Sequence, residues 1–144
     1  MEKKDFVLGV LASSNGAVHT PVQVQKLFFM VDKKISTAIG GPYFNFIPYD
    51  YGPFDIEIYN VLKQLREEGD AETLYSFSGF RHYKLTAQGQ KKGEDILKTW
   101  DKKVSDYIAE LSKWVRSLSF AELVSAIYKS YPEMKANSVF RSTE

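Results

Sequence analysis

The segment from Phe46 to Leu65, FIPYDYGPFDIEIYNVLKQL, constrains the fold most, because an aromatic extended stretch changes within it into an amphipathic helix. Residues 43–51 are too aromatic and too interrupted by proline for a regular helix, so we expect a short strand or an extended arm. Pro53 fits the first position of a helix, where its missing N–H leaves no hydrogen bond unmade. We therefore predict a helix that begins at Pro53 and ends at Gly69.

A β-hairpin is predicted after this helix. Two β-rich runs, Thr73–Phe77 and Phe80–Leu85, are separated by Ser78-Gly79, which is suited to a two-residue turn. Thr86 is a suitable cap for another helix. Helix, hairpin and helix in this order are the layout of a winged helix. We predict an α+β fold that is mostly α: a winged-helix-like core with a β-hairpin wing, a long helix after it and a C-terminal helix.

Capping signals mark the other helices. Thr20-Pro21-Val22-Gln23 places Thr at the cap, Pro at the first position and Gln at the third, and Ser119–Glu122 forms a second capping box that opens the C-terminal helix. The length of 144 residues fits one domain. We predict a single winged-helix-like domain over residues 1–134 and a polar tail over 135–144, which we expect to fray.

Apolar residues recur at alternating spacings of three and four in the region predicted as the long helix. This heptad stripe favours either packing within the chain or a homodimer interface. Trp residues on it are strong anchors in either case. Its members are Leu97, Trp100, Val104, Tyr107, Leu111, Trp114 and Leu118.

Several functional classes are disfavoured by what the sequence lacks. No cysteine is present, which excludes disulfides and thiolate metal sites. His19 and His82 have no ligand at metal-binding spacing, and we expect both at the surface. No nucleophile motif or phosphate-binding loop is visible, so we expect no enzyme, catalytic residue, metal or cofactor. No apolar run approaches the roughly 20 residues that span a bilayer, so we expect a cytoplasmic protein without a membrane partner.

DNA binding is the first alternative that a winged helix suggests. Lys63, Gln64 and Arg66 lie on the exposed face of the predicted helix and are suited to base contacts, whereas Arg81 and Lys84 are placed for phosphates. However, residues 54–68 carry a charge of −2, and the whole chain has a net charge of +1. Acidic groups oppose the counterion release on which DNA affinity depends. Nucleic acid is therefore the less favoured partner.

The aromatic arm is the other candidate surface. Alternation along it places Tyr49 or Tyr51 near the surface, and tyrosine provides a large contact area at low entropic cost. Gly52 and Pro53 shape the turn, and Tyr59 follows on the helix. We expect these five residues to form a protein-binding surface, while most of the other rings of the arm build the core.

The chain also resembles a known family. Gln25–Lys33, QKLFFMVDK, is similar to the QKLLYFAD helix of Panacea-domain proteins, the SocA-like antitoxin and adaptor group. Tyr51-Gly52-Pro53 and Ile58–Leu62 match the family's Tyr-Gly-Pro turn and the helix that follows it. The resemblance covers about residues 5–70, and the departures are Val31 in place of Ala and Tyr49 in place of Trp or a charged residue.

Beyond those residues, Phe120–Pro132 is similar to the end of related bacterial proteins. The resemblance implies a cytoplasmic bacterial or phage-derived protein that acts by holding another protein. That partner would be a toxin to be neutralised or a client to be delivered to a protease.

Overall fold

Helices carry most of the backbone in the computed structural model of this protein, which describes residues 1–141. Within that range the chain is α+β and mostly helical, as predicted, with two separate antiparallel hairpins. The helices are α1 (Lys3–Ala12), α2 (Pro21–Lys34), α3 (Glu57–Glu67), α4 (Ala87–Leu97), α5 (Lys102–Ser117) and α6 (Phe120–Ser130), with 3-10 turns at Ser36–Ile39 and Pro132–Lys135. The first hairpin pairs β1 (Ile47–Tyr49) with β2 (Gly52–Phe54), and the second pairs β3 (Ala71–Tyr75) with β4 (Arg81–Leu85).

The core is centred on α1 and α2. Phe6 of α1 has no exposed surface, and its ring contacts those of Phe28 on α2 and Trp100. Gly93 lets α4 pack directly on α1, because a side chain there would collide with Ala12. Burial of this kind is the main favourable term in folding.

The predicted helix caps are confirmed. Thr20 Oγ1 accepts a hydrogen bond from the N–H of Gln23 at 3.3 Å, and Gln23 Oε1 accepts one from the N–H of Thr20 at 2.9 Å. Ser119 and Glu122 make the same reciprocal pair at the start of α6. Thr86 caps α4. These motifs fix helix starts because they satisfy N–H groups that have no partner within the helix.

The prediction that Pro53 begins a helix is wrong. Pro53 lies in β2 opposite Pro48, and α3 begins only at Glu57. Pairs in an antiparallel ladder alternate between hydrogen-bonded and non-bonded, and the two-residue turn places the two prolines at a pair that needs no N–H. A proline shortly before a helix can therefore lie in a strand as well as at the first position of the helix.

The predicted long helix is interrupted. α4 ends at Leu97, and Asp101 caps α5 by accepting a hydrogen bond from the N–H of Lys103 at 2.9 Å. Trp100 lies in the break, 8% exposed, and packs against Phe6. The spacing of apolar residues continues across the break because both sides contribute to one core, so periodicity alone did not reveal it.

The second hairpin is present, but its turn is longer than predicted. The N–H of Ser76 donates to the carbonyl oxygen of Phe80 at 2.8 Å, so residues 76–80 form the connection instead of Ser78-Gly79 alone. Tyr83 and Leu85 are buried at the base of the hairpin, and the connection is exposed.

The expectation that His19 lies at the surface is wrong. His19 is fully buried, its backbone pairs with that of Tyr83, and its Nε2 lies 3.1 Å from Ser112 Oγ. Burial, aided by the charge of Arg116, lowers the pKa of His19 to about 4. Its place in a short segment before a capped helix, between Val18 and Thr20, gave no sign of this environment.

The last described residues contact the first hairpin. Val139 donates its N–H to the carbonyl oxygen of Asp50 at 2.9 Å, and Asn137 donates to that of Pro48 at 3.2 Å. The sequence predicts this segment to fray, but these hydrogen bonds attach it to β1 and the turn. Residues 142–144 of the predicted tail lie outside the described residues.

Candidate binding groove

A groove with a volume of about 790 Å³ opens between four parts of the chain: the first hairpin, the connection of the second hairpin, the start of α2 and the junction of α5 with α6. Residues far apart in sequence therefore share its lining. Its aromatic members are Tyr49, Tyr51, Phe54, Tyr59, Phe80 and Phe120. A concave, mainly apolar surface with a few polar groups is typical of a binding site.

Four of the five residues predicted for protein binding line this groove: Tyr49, Tyr51, Gly52 and Tyr59. Tyr49 is 48% exposed and Tyr51 is 44% exposed. Pro53, the fifth, is buried and supplies a carbonyl oxygen below the surface.

Neighbouring rings fix the two exposed tyrosines. Tyr49 stacks on Phe54 with ring centroids 4.7 Å apart, and Tyr51 meets Phe120 edge-on at 5.1 Å. A side chain that is already held in place loses less entropy when a partner covers it. Both tyrosines are therefore preorganised for contact while they remain accessible.

Lys26 is the residue in the groove lining that sequence analysis missed as a functional candidate. It is 3% exposed, and its Nζ donates a hydrogen bond to the carbonyl oxygen of Pro53 at 3.3 Å. None of the ion pairs among residues 1–141 includes it. Burial lowers the pKa of Lys26 to about 7, because the charged form is poorly solvated there. The available signal was a lysine in an otherwise apolar stretch of helix.

Two neighbours on α2 hold the arm that carries the groove. The Gln25 side chain donates to the carbonyl oxygen of Asp55 at 3.0 Å and accepts from its N–H at 2.9 Å. The Asp32 carboxylate accepts from the N–H groups of Tyr43 and Phe44. Burial raises the pKa of Asp32, while these hydrogen bonds oppose the rise. The polar residues of α2 therefore position the arm relative to the core.

The residues predicted for DNA binding are brought together only in part. Lys63, Arg66 and Arg81 line a second, smaller groove of about 210 Å³ between α3 and the second hairpin. Gln64 and Lys84 do not line it, and the Gln64 amide donates to Glu68 at 3.3 Å. The guanidinium of Arg81 lies over the ring of Tyr59, 5.7 Å from its centroid. Asn60 of the same lining donates to the acidic Glu57 at 3.2 Å.

The heptad stripe divides between the core and the surface. Trp100, Val104 and Leu111 are buried, and Leu97 and Leu118 pack against the core at its edge. Tyr107 is 40% exposed and Trp114 is 37% exposed, so these two lie outside the buried face of α5. That face is completed instead by two residues outside the stripe, Ile108 and Val115.

Searches for other kinds of site gave negative results. Among residues 1–141, no cluster of His, Asp and Glu side chains is arranged to hold a metal ion. No helix in the described part of the chain is long and apolar enough to cross a membrane. Comparisons of the chain with protein families, with curated proteins and with solved structures found no match.

Proposed function

We propose that this protein is a non-enzymatic binding module that holds another protein in the groove of about 790 Å³. The observation that carries the proposal is that two half-exposed tyrosines, Tyr49 and Tyr51, are held by aromatic neighbours at its rim. Tyrosine is enriched at the residues that dominate protein interfaces. Phe80 on the opposite wall is 70% exposed and extends the same surface.

The kind of partner follows from the resemblance to Panacea-domain proteins. An antitoxin-like or adaptor role in the cytoplasm of a bacterium, or of a cell infected by a phage, is the corresponding proposal. Some of the residues that carry the resemblance, Gln25, Lys26 and the Tyr51-Gly52-Pro53 turn, build or border the groove.

A winged-helix-like core is part of the proposal. It is supported by the isolated backbone bridge between His19, which precedes α2, and Tyr83 on β4. This bridge places a short extended segment beside β4, next to the two-stranded sheet of the second hairpin. The segment 35–56 between α2 and α3 is then an insertion that carries the first hairpin.

Affinity capture from the native host with a matched set of variants tests the proposal. We expect a protein that is retained by wild type and lost with the double substitution Tyr49→Ser and Tyr51→Ser, which removes both rim rings. Tyr75→Ser, at an exposed tyrosine of β3 that does not line this groove, is the control and should retain it. An antitoxin role further requires that the captured protein inhibits growth when it is produced alone. Capture that is equal for all three proteins would contradict the groove as the interface.

DNA binding is the second candidate, favoured by the convergence of Lys63, Arg66 and Arg81 on one groove. An anisotropy titration on random duplex at low salt should then show affinity that falls steeply with salt. The triple substitution to Gln should remove that binding. Negligible binding by wild type would leave the protein-partner proposal alone.

A homodimer through α5 is a related proposal, in which the exposed Tyr107 and Trp114 meet their copies. Light scattering on the wild type and on Trp114→Glu measures the association directly. Trp100→Glu is unsuitable for this purpose because Trp100 is buried.

A further inference from the structure

We propose that Lys26 binds the carboxylate of an acidic side chain, Asp or Glu, on a protein segment that occupies the groove. This inference rests on the proposed function, because it assigns a chemical feature to the partner. The evidence is the buried ammonium, the space beside it and the charges that surround it.

Among residues 1–141, no carboxylate lies within ion-pair distance of the Lys26 ammonium. Lys26 is 3% exposed, and the structure provides one acceptor for its three N–H donors, the carbonyl oxygen of Pro53. Burying an ammonium without an anion is costly, and an apolar residue at the same place would avoid that cost. A carboxylate from a partner would supply the missing charge and one or two further hydrogen bonds.

The ammonium lies beside Gly52 where the first hairpin meets the groove. A Cβ at this position would lie 3.6 Å from Lys26 Nζ and 3.2 Å from the Tyr128 ring, so a larger residue would crowd the ammonium. The backbone of Gly52 has a φ of +104°, which residues with a side chain rarely adopt. Lys26 and Gly52 both line the groove, so a narrow group in the groove can approach the ammonium at this side of the hairpin.

The surroundings favour an anion. The first turn of α2, Thr20–Gln23, also lines the groove, and a helix N-terminus carries partial positive charge. Arg81 and His82 contribute to the opposite wall, and Asp50 is the acidic residue of the lining. The side chain of a helical residue leans toward the N-terminus of its helix, so the ammonium and this terminus act on the same region.

An acidic side chain fits better than the carboxyl terminus of a chain. Because so little of Lys26 is accessible, the group that reaches it must be narrow, and a carboxyl on one or two methylenes is narrow. A terminal carboxylate brings its own side chain and amide with it, and proteins capture it with clusters of backbone N–H groups. A single ammonium is a compact point charge suited to one carboxylate.

Selection from peptide libraries on the immobilised full chain tests this inference. Three libraries are compared: acetyl-XXEXX-amide, acetyl-XXQXX-amide and acetyl-XXQXX with a free terminus, where X is any residue. We expect retention of glutamate peptides about tenfold above glutamine peptides, which corresponds to roughly 1.4 kcal/mol. Lys26→Met should abolish the preference for glutamate peptides. If Lys26→Met does not fold, Lys26→Gln replaces it in the same comparison. Lys113→Met, which removes an exposed lysine of α5, should retain it.

The outcomes separate this inference from the proposed function. Peptides retained equally from the glutamate and glutamine libraries would overturn the role of Lys26 but support the groove as a protein-binding site. A preference for the free terminus would overturn the assignment to a side chain. Retention of no peptide from any library would contradict both. NMR titration of the Lys26 amine gives a direct measure. A selected glutamate peptide should raise its pKa by about one unit or more, whereas the corresponding glutamine peptide should leave it unchanged.

Discussion

The two hairpins of this protein differ in length and in how they are stabilised. In the first, Gly52 and Pro53 are buried, Lys26 donates to a strand carbonyl from below, and the segment after α6 donates to the turn from the side. In the second, only the base is buried, where His19 pairs with Tyr83, and the connection extends into solvent with Phe77 fully exposed. Elements distant in sequence therefore hold the first hairpin as far as its turn, whereas they hold the second only at its base.

This difference has a consequence for the groove that both hairpins border. The first hairpin provides a fixed wall with preorganised tyrosines, and the second provides an exposed aromatic connection. Segments with few buried contacts open most readily. We expect the second hairpin to adjust to a partner and the first to remain in place.

Truncation at the base of the second hairpin should have the largest effect. Tyr83 is 6% exposed and stacks with Tyr59 at 6.0 Å, so Tyr83→Ala should lower the free energy of unfolding by about 3 kcal/mol. Phe77→Ala at the exposed connection should change it by less than about 0.5 kcal/mol. Urea denaturation measures both values. Similar losses would show that the connection packs on the protein.

The pH dependence of the free energy of unfolding should report on Lys26, which lies beneath the first hairpin. Lys26 has a pKa of about 7 when folded and 10.5 as its ordinary value, so the unfolded chain binds more protons between these limits. Stability must therefore rise with pH, and this residue should add about 3 kcal/mol between pH 7 and pH 9.5. Urea titrations at several pH values measure the rise. Lys26→Met should abolish it and Lys113→Met should not; a rise that survives Lys26→Met would assign it to another group.

A pair of glycine substitutions should sharpen the comparison further. Gly52 and Gly79 both have positive φ, but a Cβ at Gly52 would lie 3.2 Å from the Tyr128 ring, whereas Gly79 has open space. Gly79→Ala should cost about 1 kcal/mol for its backbone conformation. Gly52→Ala should cost about 2 kcal/mol or more, because crowding adds to that strain. Thermal unfolding of the two variants gives the difference, and equal losses would show that the first hairpin is not enclosed.

The smallest effect is expected where the last described segment meets the first hairpin. Ser138 Oγ accepts from the Tyr128 hydroxyl at 2.6 Å and donates to the carbonyl oxygen of Asp50 at 3.3 Å. Ser138→Ala should lower the free energy of unfolding by about 1 kcal/mol. Ser130→Ala, at an exposed position, is the control. No measurable loss at Ser138 would mean that the segment detaches in solution.

Local signals predicted much of the fold. Thr20, Thr86 and Ser119 each begin a helix as expected, because capping depends on residues within one turn. The two β-rich runs of the sequence also predicted both strands of the second hairpin, although not their exact ends. Local signals failed at Pro53, where one pattern fits both the start of a helix and a strand. They also failed at Trp100, where the spacing of apolar residues continues across the break between α4 and α5 because both helices pack on one core.

The candidate site was predicted less completely. Alternation along the arm predicted Tyr49 or Tyr51 near the surface, and both are exposed. Their position opposite Phe80 and beside Lys26 was not predicted, since it requires the arrangement of four distant segments. The residues predicted for DNA binding were likewise chosen by residue type. They separate in the structure, because Gln64 lies outside the groove that Lys63, Arg66 and Arg81 line.

By itself, then, the sequence determined the fold class, the helix starts and the supply of aromatic side chains, because propensity, capping and periodicity act over a few residues. The tertiary structure alone decided that Lys26 is buried with no ion pair to any residue from 1 to 141, and that a groove opens next to it. The charge state of that amine depends on how much water surrounds it. Segments many residues away in the chain exclude that water.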